Sequence, residues 1–596
     1  MAEPASSASG TPAQARRPSA SPRRLVALFV VLMLAFGAMG LRLVMLQTVE
    51  APAYAQLAAN QRERVVHFRA RRGTIFDRRG EPLAISVDLK TVYADPALVE
   101  EPHEAARELS PILDLGVARI EAKLRGTRPG SRFEYLARQV DPKVWEAVRK
   151  LGLAGVASRP EPKRFYPNGR LASQVIGFTN VDGEGTAGLE SAYDDLLEGT
   201  PGRMLLEQDP SGRPLPQAEF SYEPARPGRD IFLTIDKELQ YFTELTLARA
   251  VETYRAEAAT AIVMKPETGE ILALANMPDF DLNRFSQAGQ QKMRNRAVTD
   301  MYEPGSAYKI VTVSAALEEG VVTPRTKLVV PDSLEYADQV FNDSHVHDPE
   351  IMSVRKIIEQ SSNVGTIKMG LRLGGRLLDR YVRDFGFGAP TGLGFPGEAP
   401  GIVLPRRRWS GSTIATVPLG QGIAVTPLQM AAAFSTIANG GVWVEPKLVH
   451  GTAGQDGKVV AASPPARRRV VSATTARRVT NMLAGVVARG TGLLARVPGY
   501  RVAGKTGTAQ KPLPGGGYGN SYIGSFGGYA PVGDPKVAVL VTLDEPSPIW
   551  GGSSAAPTFK RIIEYALREL GVPPSGNAAE AAAELEADPA VVPARD

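Results

Sequence analysis

The sequence predicts an α/β protein: a membrane-anchoring helix, an α+β module, then a larger domain with a central antiparallel sheet packed by helices. Three observations point there. An uncharged run of 17 residues, Leu25 to Leu41, follows Arg16, Arg17, Arg23 and Arg24. Strand-like runs stand at both ends of residues 226–572, with Ala259–Met264 and Glu270–Ala275 near the start and Val537–Leu543 near the finish. Helical segments lie between them, the pattern of a sheet covered by helices.

Composition bounds the chemistry. A chain of 596 residues allows about four domain-sized units. Its 43% apolar and 22% charged residues permit a packed core over most of that length. The absence of cysteine excludes disulfides, thiolate metal sites, iron–sulfur clusters and a cysteine nucleophile. Five histidines supply a Ser-His-Asp hydrolase thinly. A net charge of +6 is small for this size, and the excess of 51 arginines over 18 lysines does not indicate nucleic-acid binding.

In chain order, residues 1–22 are rich in Ala, Ser and Pro and read as a disordered tail. The apolar run continues past Arg42 through Leu43–Leu46, so residues 23–46 reach spanning length. Arginines on the N-terminal flank place that end in the cytoplasm and export the bulk of the chain. A cleaved signal peptide is the competing reading, with Ala38-Met39-Gly40 as its small-x-small site, but the run exceeds a usual signal core.

Residues 47–225 mix short alternating runs such as Arg64–Phe68 with turn clusters at Arg78–Pro82 and Tyr166–Gly169, and a short polar helix at Asp141–Leu151. No cluster suited to catalysis stands out, so this module reads as a scaffold. Glu223–Arg229 reads as a linker. Beyond it come a strand at Ile231–Ile235 and a helix from Lys237 to about Arg255. A hairpin follows, turning at Pro266–Gly269, and the last strand and a helix at Pro557–Leu570 close the domain at 572. Residues 573–596 read as a second disordered tail, with five acids against Arg595 from Asn577 onward.

Three short motifs carry the chemistry. Ser306-Ala307-Tyr308-Lys309 opens a helix, and a spacing of three puts hydroxyl and amine on one face, where a neutral amine serves as the serine's base. Alone it is weak: 32 serines and 18 lysines predict about one chance match, and Ser353–Lys356 is a second. Ser361-Ser362-Asn363 follows at a distance, and its double at Ser575–Asn577 falls in the tail. Lys505-Thr506-Gly507-Thr508 occurs once, at the end of the strand-like Tyr500–Ala503; its glycine lets an edge strand approach a ligand.

Order and spacing make the set specific. S-x-x-K, then S-x-N, then K-T-G is the arrangement of penicillin-binding proteins and serine β-lactamases. Only Ser306 fits its first element, since Ser353 stands eight residues before Ser361 on what reads as the same helical segment.

The chain resembles class B penicillin-binding proteins, the division-specific FtsI type above all. Carrying the resemblance are Arg72-Gly73-Thr74-Ile75-Phe76-Asp77-Arg78, Arg164-Phe165-Tyr166-Pro167 and Gly188-Leu189-Glu190 with Tyr193. Further on come Asn295-Arg296-Ala297, Glu303-Pro304-Gly305, Gly420-Gln421-Gly422 and Val425-Thr426-Pro427-Leu428-Gln429. Ser361-Ser362-Asn363 and Glu303 resemble the division type, although sporulation and accessory relatives share the pattern.

The resemblance implies a pedestal carrying a serine β-lactamase-like transpeptidase domain, with roles for each motif residue. Ser306 is the nucleophile on the penultimate D-Ala of a stem peptide, Lys309 its base, and Lys505 a second cation that keeps Lys309 neutral. Ser361 relays the proton to the leaving amine, Asn363 holds the substrate amide, and Thr506, Gly507 and Thr508 bind the terminal carboxylate. The oxyanion hole falls to the N–H groups of Ser306 and Thr508. Implied ligands and partners are peptidoglycan stem peptides, β-lactams, a SEDS-family glycosyltransferase and division-complex membrane proteins, with no cofactor, metal or nucleic acid.

His345 and His347 stand at i and i+2 on a loop without a third ligand at zinc spacing, and with Asp343 and Asp348 read as a polar loop. Three alternatives stay open: an elongation- or sporulation-type relative, a β-lactam sensor or hydrolase, and a division scaffold with secondary catalysis. Against a hydrolase stand the anchor and the module of about 180 residues.

Overall fold

The computed structural model describes residues 22–54, 63–207, 221–513 and 515–574. The chain folds as two compact units, residues 1–68 with 202–224, and residues 69–201 with 225–596. In the first unit, helix Pro22–Thr48 has 27 residues, about 40 Å of helix. It is apolar on every side, with Leu25, Phe29, Leu34 and Leu41 all exposed. A helix of that length and composition is able to cross a membrane, and the 23–46 segment lies inside it. The tails read at 1–22 and 573–596 lie outside the described residues, save Pro22 and residues 573–574. Strand Glu63–Phe68 pairs antiparallel with Gly202–Glu207, which pairs with Ser221–Glu223. Residues 202–224 thus join this unit, which sequence patterning had not separated from the 47–225 module.

In the second unit, Asp230–Leu233 is not a strand of the central sheet, and 223–229 is not a free linker. Arg226 exchanges backbone hydrogen bonds with Thr200, and Gly228 N–H donates to Arg71. Asp230–Leu233 then enters a mixed sheet, parallel to Ile75–Phe76, with Val449–Ala453 on its other side. The alternation decides its place: Ile231 and Leu233 are fully buried, while Phe232 stacks on Phe76 at 4.9 Å between ring centroids. Asp77 reinforces the join, its carboxylate accepting from the N–H groups of Arg79 and Glu81 at 2.8 Å and of Lys237 at 3.2 Å.

Three of the motifs quoted above meet at one buried point. Glu190, 0% exposed, accepts from Arg72 Nε and Arg164 Nε, each at 2.6 Å. Arg72 Nη1 also reaches Asp194 at 2.6 Å, and Arg164 Nη1 donates to the carbonyl of Gly73 at 2.7 Å. Gly73 has no room for a side chain, since a Cβ there would lie 1.9 Å from the Arg229 carbonyl oxygen. Farther out, Pro82–Ala94 carries Glu134–Val140 and Val156–Phe165 on its flanks. Helices Pro102–Leu113, Val117–Leu124 and Pro142–Lys150 pack there around Val92, Leu109, Ile120, Leu136 and Val148.

The central sheet is antiparallel and five-stranded, in the order Ile271–Met277, Ala258–Met264, Val537–Asp544, Tyr518–Ala530, Ala503–Pro512. Near-continuous burial along Ile271–Met277, Ala258–Met264 and Val537–Asp544 marks a sheet covered on both faces. Helices Lys237–Tyr254 and Ala555–Glu569 cover one face, with Phe242 stacked on Tyr565 and Phe559 against Phe526. Pro427–Ala438 lies buried on the other, started by a capping box in which Thr426 and Gln429 satisfy each other's backbone N–H. Its Phe434 fits only because position 527 is glycine, where a Cβ would lie 2.1 Å from the ring.

Removing the charge of Glu190 strands two buried guanidinium groups. Glu190→Gln is expected to lower stability by about 3–5 kcal/mol, read as an earlier urea midpoint of the full chain in detergent. An unchanged midpoint would mean that the three motifs are not held by that carboxylate.

Candidate active site

Ser306 lies in a 3₁₀ turn, Gly305–Tyr308, that runs into helix Lys309–Glu318. The sequence suggested an ordinary helix start; the tighter turn matters, because side chains three apart line up more closely in a 3₁₀ turn than in an α-helix, and Lys309 follows Ser306 at that spacing. Gly305 has φ +52° and donates its N–H to Gly420 at 3.2 Å. A Cβ on Gly420 would lie 2.5 Å from the Gly305 oxygen, so the Gly420–Gly422 turn forms a close floor under the serine. Glu303 links that floor to the strand hairpin opposite: Gly422 N–H donates to its Oε1 and Tyr518 Oη to its Oε2, both at 2.9 Å. Burial raises the Glu303 carboxyl, and burial next to that carboxylate pushes the Tyr518 phenol up to about 12.

Two lysines converge on one hydroxyl. Lys309 and Lys505 are both 0% exposed. Lys505 Nζ lies 2.8 Å from Ser361 Oγ and 3.1 Å from both the carbonyl and the hydroxyl oxygen of Thr506. Lys309 Nζ lies 3.2 Å from the same Ser361 Oγ, 2.5 Å from the Ser361 carbonyl and 2.7 Å from Asn363 Oδ1. Ser361 occupies a left-handed conformation, φ +60°, in the break between helices Val354–Glu359 and Asn363–Leu373. A non-glycine residue stays there only where its surroundings hold it.

Those surroundings include a residue that the sequence reading left in a polar loop. Asp343 Oδ1 accepts from the N–H groups of Asn363 at 2.5 Å and Val364 at 2.9 Å, while Oδ2 accepts from Ser362 Oγ at 2.7 Å. Ser362 Oγ in turn caps the helix by accepting from Gly365 N–H at 2.9 Å. Asn363 Nδ2 donates to the Asn342 carbonyl at 2.8 Å. The second motif is therefore clamped from strand Gln339–Asn342 and its following loop. An acidic residue beside two histidines carries no sequence signal for this, because the separation of 20 positions from Asn363 is closed only by the fold.

Ser353, the competing S-x-x-K serine, caps helix Val354–Glu359: its Oγ accepts from Lys356 N–H at 3.2 Å, and Lys356 Nζ pairs with Glu350. Its match to the motif is an N-cap with a lysine at N3. That helix ends at Glu359, so Ser353 and Ser361 do not share one helical segment.

Lys505 stands near the start of edge strand Ala503–Pro512 rather than at a strand's end, since Val497 and Tyr500 form a turn immediately before it. A Cβ on Gly507 would lie 2.4 Å from Ser525 Oγ, and 3.0 Å from both Ala307 Cβ and the Pro304 oxygen. The strand thus presses on the Ser306 turn with no space for a side chain. Thr508 Oγ1 accepts from Gly551 N–H at 3.1 Å. Thr506 differs from expectation: it is 0% exposed, its hydroxyl 2.8 Å from Thr491 Oγ1, so a carboxylate reaches it only by displacing that contact. Ser306, Lys309, Ser361, Asn363 and Lys505 are brought together; Thr491, Asp343 and Gly551 are the additions.

Gly507→Ala is expected to push the edge strand off the turn and slow labelling by fluorescent penicillin about a hundredfold, with the circular dichroism of the native fold retained. Labelling at the original rate would mean that the contact between strand and turn is dispensable.

Comparison with known proteins agrees with this geometry. Residues 259–564 match the family described as penicillin binding protein transpeptidase domain, and residues 67–233 the penicillin-binding protein dimerisation domain. The chain is 35% identical over 568 residues to "Probable peptidoglycan D,D-transpeptidase PenA" of Neisseria meningitidis, covering 94% of this chain and 95% of that one. It is 35% identical over 524 residues to peptidoglycan D,D-transpeptidase FtsI of Escherichia coli K12, covering 86% of each. Among solved structures, penicillin binding protein 3 from Mycobacterium tuberculosis complexed with aztreonam superimposes with a TM-score of 0.68 at 32% identity, over 86% of this chain and 98% of that one. With that extent of identity and the three motifs meeting at one hydroxyl, the chain belongs to the class B penicillin-binding transpeptidases, the family of FtsI and PenA.

Proposed function

We propose that this protein is a serine peptidoglycan D,D-transpeptidase that cross-links stem peptides during cell-wall synthesis and is a target of β-lactams. The observation that carries this is the Ser361 hydroxyl shared by two fully buried lysines, one of them three residues after Ser306 where the 3₁₀ turn runs into its helix. Burial and like charge both oppose two ammonium ions at one hydroxyl. Each amine faces three oxygens, and by analogy with the family Lys505 keeps its proton and Lys309 is the neutral one.

Neutral Lys309 then takes the Ser306 proton as Ser306 Oγ attacks the carbonyl of the penultimate D-Ala. The Ser306 O–C bond forms, the peptide C–N bond breaks, and Ser361 passes a proton from Lys309 to the departing D-Ala amine. Asn363 presents its amide to the substrate, and Thr508, with Gly507 and Thr506 on the same strand, lies where the terminal carboxylate docks. The N–H groups of Ser306 and Thr508 stabilise the oxyanion. An amine of a second stem peptide attacks the ester, the cross-link forms, and Ser306 recovers its proton. A β-lactam opens on Ser306 by the same first step.

In the cell, residues 23–46 anchor the protein once in the cytoplasmic membrane, N-terminus inside, as the arginine flank dictates. The 47–225 pedestal and the 226–572 transpeptidase domain stand on the outer side. Ser361-Ser362-Asn363 with Glu303 supports action at the division septum, alongside a SEDS-family glycosyltransferase and division-complex membrane proteins. The match to stage V sporulation protein D of Bacillus subtilis, 34% identical over 572 residues, favours a sporulation role as the second reading.

Full-length protein in detergent is expected to form a covalent adduct with fluorescent penicillin and to release D-Ala from a pentapeptide donor, and Ser306→Ala to do neither. A wild type that does not label overturns the proposal. Lys309→Ala, with Ser306 intact, is expected to slow labelling about a thousandfold; an unchanged rate would remove Lys309 as the base.

A further inference from the structure

His347 belongs to no motif and does not touch the nucleophile, yet both its ring nitrogens face oxygen acceptors. Nε2 lies 3.2 Å from Asp343 Oδ2, and Nδ1 lies 2.8 Å from the Asp348 carbonyl oxygen. A neutral imidazole has one N–H to give and leaves a lone pair opposed to one of these oxygens; only the doubly protonated ring satisfies both. The pair is shielded, with the His347 side chain 8% exposed and that of Asp343 2% exposed. Asp343 is also the residue that holds Ser362, Asn363 and Val364 in register.

We infer that His347 is a positioning residue whose protonated ring steadies Asp343, and through it the Ser361-Ser362-Asn363 segment, so that acylation of Ser306 weakens as His347 loses its proton. The inference rests on the transpeptidase reading of the site. On deprotonation the ion pair with Asp343 Oδ2 is lost, leaving a weaker bond from a neutral N–H, or a repulsive contact if the remaining proton stays on Nδ1. The oxygen so affected is the one that accepts from Ser362, and Ser362 is fused to both Ser361 and Asn363.

The charges around the ring favour its proton. The Asp348 carbonyl contact and the Asp343 carboxylate raise the imidazole above its ordinary range, and Glu350 adds to them. Glu350 itself is paired with Lys356 at 2.5 Å from helix Val354–Glu359. The His345 ring stands 5.4 Å away, centroid to centroid. On the far side of Asp343, the Asn363 that it holds accepts from the Lys309 amine at Oδ1. A raised imidazole holds its proton to higher pH than a free one, so the support is complete on the acid side. It fades as pH rises through the folded value.

The test uses full-length protein in detergent, with the rate of fluorescent penicillin acylation followed from about pH 5.5 to 9 for wild type and His347→Gln. Gln donates one hydrogen bond at every pH. Wild type is expected to lose about three- to tenfold in rate across a step that the variant lacks, on top of any titration common to both. Nuclear magnetic resonance of ¹³C-histidine, with His347 assigned by its absence in the variant, is expected to show a ring titrating above the ordinary histidine range at that same pH. Rate profiles of identical shape, or a His347 titration at or below the ordinary range, would overturn the inference. Should neither protein label at any pH, the transpeptidase reading fails instead, and the ring titration still decides whether His347 is held protonated by Asp343.

Discussion

Everything in the catalytic half answers to one constraint: two lysine side chains, each fully buried, must meet at a single serine hydroxyl. Buried ammonium groups are expensive unless their hydrogen bonds are complete, so the elements bearing Lys309, Lys505 and Ser361 have little freedom. The left-handed Ser361 turns its hydroxyl between the two amines and its carbonyl onto Lys309. Gly507 lets the strand carrying Lys505 lie against the turn carrying Ser306, and Gly420 lets that turn sit on its floor. Adding one carbon at either glycine separates groups that need each other.

Support for this arrangement comes from residues that do no chemistry. Asp343 takes the first N–H groups of helix Asn363–Leu373, which lack partners inside the helix. Orientation of the second motif is thereby handed to a loop between two short hairpin strands. Thr491 and Gly551 play a similar part for the third motif, one behind Thr506 and one beside Thr508. The N-terminal module repeats the principle with reversed charge: Glu190 gathers Arg72 and Arg164, so that segments far apart in sequence share one buried carboxylate.

Much of this was legible beforehand. Apolar runs bounded by turn residues located the Ala258–Met264 and Ile271–Met277 hairpin, the last strand and the flanking helices, because burial on both faces leaves continuous apolar stretches. The order of three short motifs pointed to Lys309, Ser361, Asn363 and Lys505, which one hydrogen-bonded cluster joins. What was ambiguous was local: a capping serine at Ser353 matched a catalytic spacing, Tyr500–Val502 looked like strand where the chain leaves the Val497–Tyr500 turn, and Glu223–Arg229 looked like a linker where backbone pairing continues. In each case the residues suit either role, and contacts with distant segments choose between them.

The sequence by itself determined which residues stand in the motif order, Ser306, Lys309, Ser361, Asn363 and Lys505, and an apolar N-terminal segment of spanning length. Those depend on residue identity and short spacing, which a linear reading sees. Only the tertiary structure decided how they are held. It set the 3₁₀ turn that carries Ser306, the left-handed Ser361, the inward turn of Thr506 to Thr491, and the grip of Asp343 on the second motif. Each is a contact closed across tens or hundreds of residues, where a side chain's partner is chosen by packing and by the need to satisfy buried polar groups.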